Sequence, residues 1–207
     1  MAQVTRGLRA ALSSPMVYET FERAVGSMNV RRTFIHEFVR PRLGQSVLDI
    51  GCGPGAILRE MPDVRYVGFD LSDSYIASAR RRYGDRGTFF AAGVDDVDPK
   101  ELGRFDIAMA KGVLHHIEDD QARKVFQTAR RILEPGGRLF TIDPVFHPGQ
   151  SSFARWVIGR DRGQNVRTEP AYRALAEETF SKVEGHVLQG LLRIPYTHVV
   201  LVCSTEG

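Results

Sequence analysis

The feature that most constrains the fold is an alternation of apolar, strand-like runs with helical stretches, which begins at Ser46. The runs that predict strands are residues 46–51, 66–71, 88–92, 105–113 and 138–144, and the stretches that predict helices are residues 56–61, 74–83 and 118–133. A strand–helix–strand order requires parallel strands with helices packed across them. The sequence therefore predicts an α/β fold with a doubly wound sheet and helices on both faces.

The alternation ends near the C-terminus. Residues 185–190 and 196–204 predict two strands joined through Pro195, and this connection is too short for a parallel crossover. They are expected to form an antiparallel hairpin, which makes the predicted sheet seven-stranded and mostly parallel. Before the first strand, residues 16–39 predict one or two helices.

The length of 207 residues fits a single domain with a sizeable core. We expect that domain to span residues 1–207, with an N-terminal helical cap over residues 1–43. Residues 145–170 follow the fifth strand and are long for a plain connection. They are interpreted as an insertion on the substrate side of the domain.

The composition, the two cysteines and the net charge limit the classes of protein to which this chain can belong. With 43% hydrophobic and 26% charged residues, and no apolar run as long as a membrane span, the chain is typical of soluble globular proteins. Cys52 and Cys203 make neither a disulfide framework nor a zinc site, so a reducing, cytoplasmic compartment is expected. The net charge of +3 is weak evidence for a nucleic-acid partner.

The stretch "VLDIGCGPGA", residues 47–56, predicts a ligand site, since an apolar run ends in Asp49 and three glycines follow at alternate positions. In open α/β sheets ligands bind at the carboxyl ends of the strands, and glycines let the backbone approach them closely. Asp70 ends the next strand, 19 positions after Gly51, where a carboxylate can accept hydrogen bonds from both ribose hydroxyls. An adenosine-containing cofactor is predicted.

Two cofactors could use this turn. Gly51, Gly53 and Ala56 formally satisfy the dinucleotide fingerprint, which keeps an NAD-dependent oxidoreductase as an alternative. Asp49 would repel a pyrophosphate, whereas it would attract the sulfonium and ammonium groups of S-adenosylmethionine. The alternative role for Asp49 is a turn acid that accepts hydrogen bonds from loop amides.

Four segments together carry a family resemblance: "VLDIGCGPG", "VGFDLS" with Asp70, "FDIAMAKGVLHHI" and "ILEPGGRLFTIDP". In this order, over residues 44–144, the chain resembles the class I S-adenosylmethionine-dependent methyltransferases of the small-molecule type. The resemblance implies a Rossmann-like sheet, S-adenosyl-L-methionine as cofactor and S-adenosyl-L-homocysteine as product.

The resemblance also implies cofactor-binding residues. These are Asp49, Gly51, Cys52, Gly53, Asp70 and Leu71, with Ala110 and Lys111 meeting the methionine amino group through their backbone. The family often places an aspartate directly after the glycine that closes the third strand, but here Val94 follows Gly93, so Val94 and Asp95 are assigned to adenine. In the N-terminal cap, Tyr18, Phe21 and Arg31 or Arg32 are candidates to cover the methionine end.

His115 and His116 are the candidate catalytic residues, because an imidazole can remove a proton near neutral pH. They are predicted to end the fourth strand. Neighbouring strand residues point to opposite faces, so only one of the two should face the cleft, and His116 is preferred. The alternative is that the pair shapes the loop and contacts the cofactor.

The insertion and the sequence after it should select the methyl acceptor. Residues 151–158 and 170–180 predict helices; Trp156 and Tyr172 could line a pocket, and Arg162 and Arg167 could meet an anion. Alternatively, the arginines pair with Asp161 and Glu169 in a solvated loop.

The predicted reaction is in-line methyl transfer to O, N or C of a small-molecule metabolite, without a metal, by a monomer or homodimer. The alternative acceptor is RNA or another nucleic acid.

Overall fold

The computed structural model describes residues 25–160 and 163–205, except for the side chains of residues 99 and 100. The strands are β1 (Ser46–Ile50), β2 (Arg65–Asp70), β3 (Gly87–Ala91), β4 (Phe105–Lys111), β5 (Leu133–Phe146), β6 (Arg167–Thr168), β7 (Lys182–Gln189) and β8 (Thr197–Ser204). The α-helices are α1 (Ser27–Thr33), α2 (Asp73–Tyr83), α3 (Pro99–Leu102), α4 (Asp119–Ile132), α5 (Ser152–Ile158) and α6 (Glu169–Glu177). A π-helical turn (Phe34–Val39) and two 3₁₀ turns (Ala56–Glu60 and Leu114–His116) complete the secondary structure of this part of the chain.

The strands form one sheet in the order β3-β2-β1-β4-β5-β8-β7. Strands β1 to β5 run parallel, and β8 is antiparallel to both β5 and β7. This order confirms the predicted α/β fold with its C-terminal antiparallel hairpin. The two-residue β6, which the sequence pattern does not predict, pairs parallel to the end of β5 and brings the number of strands to eight.

The strand order reverses between β1 and β4. The chain moves outward from β1 through β2 to β3, then returns to the other side of β1 with β4 and β5. Such a reversal leaves a crevice at the carboxyl ends of the strands, because the connections after β1 and β4 diverge to opposite faces. The loop that follows β1 therefore lies where a ligand would be expected.

Each face of the sheet is covered by helices. Phe126 of α4 and Tyr172 of α6 pack on the face that carries Leu48 and Ile50. Phe34 of the π-helical turn lies in the cluster that includes Val47, Ile76 and Tyr66 on the other face. No helix among the described residues is long and apolar enough to cross a membrane.

Strand β5 begins at Leu133, earlier than the predicted start at residue 138. The pairing with β4 steps from Phe105–Leu133 directly to Ile107–Arg138, so residues 134–137 are accommodated as an irregularity in the ladder. The proline and glycines of this segment end helix α4, as predicted, but the chain re-enters the sheet at once. Pairing with β4 therefore outweighs the turn-forming tendency of the proline and glycines in this segment.

Candidate active site

The glycine loop after β1 is held against the end of β2. The backbone N–H groups of Gly51 and Cys52 both donate to the carbonyl of Phe69, at 2.8 and 3.0 Å. Gly51 has φ 72°, and a Cβ there would lie 2.5 Å from Val113, so both conformation and space require glycine. The loop thus exposes backbone rather than side chains to the crevice.

Asp70 connects the glycine loop to the loop after β2. Its Oδ2 accepts a hydrogen bond from the Gly53 N–H at 3.0 Å, and its Oδ1 accepts one from the Ser72 N–H at 2.9 Å. Burial raises the pKa of this carboxyl, and the two backbone hydrogen bonds partly oppose the rise. Asp70 therefore lies beside the glycine loop, at the end of β2, in a position that can face a ribose.

Asp49 is a buried acid with only one of its oxygens satisfied. The Tyr66 hydroxyl donates to its Oδ2 at 2.5 Å, while its Oδ1 is buried and has no hydrogen-bond partner among the described residues. Burial raises the pKa of Asp49 to about 7, which the hydrogen bond from Tyr66 only partly offsets. Its partner is thus a tyrosine of β2, not the loop amides of the alternative interpretation.

A small cavity beside the glycine loop brings opposite charges together. Its lining includes Asp49, Arg31 of α1 and Lys111 at the end of β4. The sequence does not distinguish Arg31 from Arg32, but the structure does: Arg31 is buried at this cavity, whereas Arg32 lies on the surface, 3.4 Å from Glu60. One acid and two bases around a cavity can complement an α-amino acid, which carries both an ammonium and a carboxylate.

Leu71, predicted to bind the cofactor beside Asp70, and the residues assigned to adenine, Val94 and Asp95, lie at the carboxyl edge of the sheet but differ in exposure. Leu71 is 52% exposed, and Val94 is half-buried. Asp95 is exposed, and its ion pair with Lys124 at 2.8 Å lowers its pKa. Asp96, rather than Asp95, accepts a hydrogen bond from the Gly93 N–H, at 3.0 Å.

The two histidines lie on the 3₁₀ turn that follows β4, and the prediction that they end the strand is wrong because β4 stops at Lys111. Strand alternation therefore does not decide which ring faces the cleft. The rings of His115 and His116 lie close together, with centroids 3.9 Å apart and planes tilted by 39°. His115 is buried and His116 is exposed.

His115 is oriented by a buried carboxylate. Its Nδ1 lies 2.7 Å from Oδ1 of Asp143, and its backbone N–H donates to the same oxygen at 3.2 Å. Asp143 is 1% exposed, on β5, and its Oδ2 has no partner within the part of the chain that the structure describes. If Nδ1–H donates to the carboxylate, Nε2 is left as the proton acceptor, which is the arrangement of a general base.

The segment after α5 closes over this imidazole. The Asn165 N–H donates to the carbonyl of His115 at 3.0 Å. A Cβ added to Gly163 would overlap the His115 ring and lie 2.5 Å from its carbonyl oxygen, so only glycine fits there. Sequence reasoning missed both Asp143 as the partner of His115 and Gly163 as its neighbour.

Residues 47–137 match the protein family described as a methyltransferase domain. The chain is 31% identical over 144 residues to phosphoethanolamine N-methyltransferase 1 of Triticum aestivum, a match that covers 66% of this chain and 28% of that protein. It is 29% identical over 175 residues to an O-methyltransferase of Pyrenophora dematioidea, which covers 76% of this chain and 64% of that one.

Among solved structures, Haemonchus contortus phosphoethanolamine N-methyltransferase 2 in complex with S-adenosyl-L-methionine has a TM-score of 0.72 at 17% identity. That likeness covers 100% of this chain and 62% of the other. The chain thus spans less than two thirds of each of these relatives. Its fold is that of the class I methyltransferases, and the match to the methyltransferase-domain family covers residues 47–137.

Outside the segment that matches the methyltransferase domain, two residues predicted to bind the acceptor have structural roles instead. Tyr172 is only 1% exposed and its hydroxyl donates to the Pro144 carbonyl at 3.1 Å, so it belongs to the core and does not line a pocket. Arg167 uses all five of its donors within the chain, which leaves none for an anionic acceptor. They go to Oδ1 of Asp119 twice and to the carbonyls of Leu114, Asn165 and Ile117, at 2.7 to 3.0 Å.

Trp156, the third predicted acceptor-binding residue, lies on α5, also outside the matched segment, and is 52% exposed. It stacks on Phe153, with ring centroids 5.8 Å apart. The predictions for Arg162 and Tyr18 fall outside the described residues.

Proposed function

We propose that this chain transfers a methyl group from S-adenosyl-L-methionine to a small-molecule acceptor. The observation that carries the proposal is the buried Oδ1 of Asp49, which has no protein partner in the described chain and belongs to a residue lining the cavity beside the glycine loop. A buried carboxylate oxygen without a partner is costly, and a cationic ligand would remove that cost. The methyltransferase relatives support this choice of ligand.

The residues present fit this cofactor at both ends. Asp49 would accept from the ammonium, and Arg31 and Lys111 line the same cavity and would attract the carboxylate. Asp70 would accept hydrogen bonds from the ribose hydroxyls, as the carboxylate that ends a second strand does in nucleotide-binding sheets. A dinucleotide fits less well, because its pyrophosphate would approach Asp49.

When bound, the cofactor supplies a methyl group already activated by its sulfonium. The chain then has to position an acceptor and remove its proton. We propose His115 for that step, in place of the preference for His116, because Asp143 fixes the imidazole with Nδ1 toward the carboxylate. His116 is exposed and would border the same site.

The acceptor is proposed to be a small molecule whose hydroxyl or amine loses a proton on methylation. Two kinds of support are available: the buried His115–Asp143 pair, which suits a general base, and the relatives named as O-methyltransferases and phosphoethanolamine N-methyltransferases. We further propose a reducing, cytoplasmic setting, since Cys52 and Cys203 are buried free thiols.

The test is titration calorimetry with S-adenosyl-L-homocysteine and with NAD. We expect S-adenosyl-L-homocysteine to bind and NAD to show no comparable affinity. Asp70→Ala should weaken binding by about 1–3 kcal/mol, because charge-assisted hydrogen bonds are lost. Asp73→Ala, an exposed acid three residues further on in α2, is the matched control and should leave the affinity unchanged. Tight NAD binding by the unaltered chain would overturn the proposal.

A further inference from the structure

Helix α5 presents an aromatic and basic stripe to solvent. Phe153, Trp156 and Arg160 recur at spacings of three and four, which places the two rings on one side of the helix and Arg160 in the turn that follows it. All three are exposed, whereas Ala154 and Ile158 are buried beneath them. Large exposed aromatic residues that stack on each other on a helix surface need a partner to explain them.

The charged side chains of the segment that carries this stripe, residues 144–160, are arginines, and Asp143 and Asp161 flank the segment. The Arg160 guanidinium lies 4.0 Å from the centre of the Trp156 ring, and that of Arg155 lies 5.0 Å from the centre of the Phe146 ring. Residues 144–160 contain no aspartate or glutamate. Arginine pairs with phosphates, and tryptophan favours the interface of a bilayer. Exposed rings with guanidinium groups beside them therefore suit a surface with an apolar interior and anionic headgroups.

We propose that this α5 stripe (Phe153, Trp156 and Arg160, with Arg155 beside it) docks the chain on an anionic lipid bilayer. The helix follows β5, whose carboxyl end, with Asp143 near it, lies at the same edge of the sheet as the glycine loop. It would insert its rings at the depth of the headgroups, as interfacial amphipathic helices do, without crossing the bilayer. The docked chain would then turn this edge of the sheet toward molecules dissolved in the lipid.

The sequence provides a direct reporter, because Trp156 is the only tryptophan in the chain. Vesicles of phosphatidylcholine alone are compared with vesicles that also contain phosphatidylglycerol, at low and at high salt. With the anionic vesicles at low salt we expect co-sedimentation, a shift of tryptophan emission to shorter wavelength, and quenching by brominated acyl chains. High salt should reverse all three effects because it screens the attraction between arginine and lipid.

Two variants and a matched control isolate the stripe. Arg160→Glu should weaken partitioning by about tenfold or more, since it reverses a charge at the lipid surface. Phe153→Ser keeps the tryptophan reporter and should reduce both co-sedimentation and the emission shift. Arg81→Glu makes the same change in net charge at an exposed position on α2 and should alter partitioning by less than about twofold.

Three results would overturn the proposal. The first is an absence of binding to anionic vesicles at low salt. The second is an equal loss of binding for Arg81→Glu and Arg160→Glu, which would indicate net charge rather than the stripe. The third is an emission shift that grows with protein concentration when no vesicles are present, which would make a second copy of the chain the occupant. Circular dichroism of each variant checks that folding is intact.

Discussion

At the scale of single residues, Asp49 is expected to make both stability and cofactor binding depend on pH. In the unfolded chain its carboxyl ionises near the ordinary value of 3.8, but in the fold burial raises its pKa to about 7. Between these values the folded state keeps a proton that the unfolded state has released. The contribution of Asp49 to the free energy of unfolding therefore falls as pH rises from 3.8 to about 7, and it stays low above that.

Asp49→Asn should consequently have opposite effects on stability and on cofactor affinity. Above pH 7 the asparagine is neutral, so the variant should melt at a higher temperature than the unaltered chain. Its affinity for S-adenosyl-L-homocysteine should be lower and should no longer rise as pH increases through 7. Melting curves and calorimetry at pH 5.5 and pH 8 measure both quantities. If the variant binds as well as the unaltered chain at pH 8, Asp49 does not hold the ammonium.

The histidine pair yields a kinetic prediction. His115→Ala should lower kcat by about a hundredfold or more with little change in the affinity for S-adenosyl-L-homocysteine, because a general base acts in the reaction rather than in cofactor binding. Asp143→Asn should also lower kcat, since an amide does not enforce the same tautomer. His116→Ala is the matched control and should cost less. Equal losses of turnover and cofactor affinity in His115→Ala would assign this residue to the cofactor pocket.

At the scale of secondary-structure elements, Arg167 joins β6 to the turn that carries the histidines. Its side chain is only 10% exposed, and it binds Asp119 at the start of α4 and two carbonyls of the 3₁₀ region. Arg167→Ala would leave the partly buried carbonyls of Leu114 and Ile117 without this donor and should lower the free energy of unfolding by about 2–4 kcal/mol. Arg173→Ala removes two partly exposed i,i+4 pairs within α6 and should cost less than about 1 kcal/mol. Chemical denaturation compares the two variants. Similar losses in the free energy of unfolding would contradict a structural role for Arg167 between β6 and the histidine turn.

The elements also show which parts of the structure the sequence could predict. Periodicity located β1 to β4 and helices α2 and α4 to within about two residues, because their apolar patterns are local. The glycine loop and Asp70 followed from fixed spacing within one strand–helix–strand unit. The His115–Asp143 contact joins residues 28 positions apart, and a single sequence contains no local signal for such a pairing. For the same reason the sequence pattern predicts Tyr172 to line a pocket, whereas it belongs to the core.

At the scale of the whole molecule, the sheet divides two apolar cores that should unfold together. Phe34 of the N-terminal cap and Phe126 of α4 are both 0% exposed, on opposite faces. We expect Phe34→Ala and Phe126→Ala each to lower the free energy of unfolding by about 3–5 kcal/mol while a single transition is kept. Exposed Phe153→Ala is the control and should have little effect. Denaturation followed by far-UV circular dichroism and by NMR tests this, and a separate early transition in Phe34→Ala would show that the cap folds independently.

The close approach of Gly163 to His115 limits how this chain can diverge. Gly163 lies in the segment between β5 and α6, within the predicted insertion that is expected to select the acceptor. This position tolerates no side chain, because a single methyl group would collide with the imidazole. If His115 is the general base proposed above, a change in this segment that alters the acceptor must keep Gly163, or it also displaces the imidazole that removes the proton.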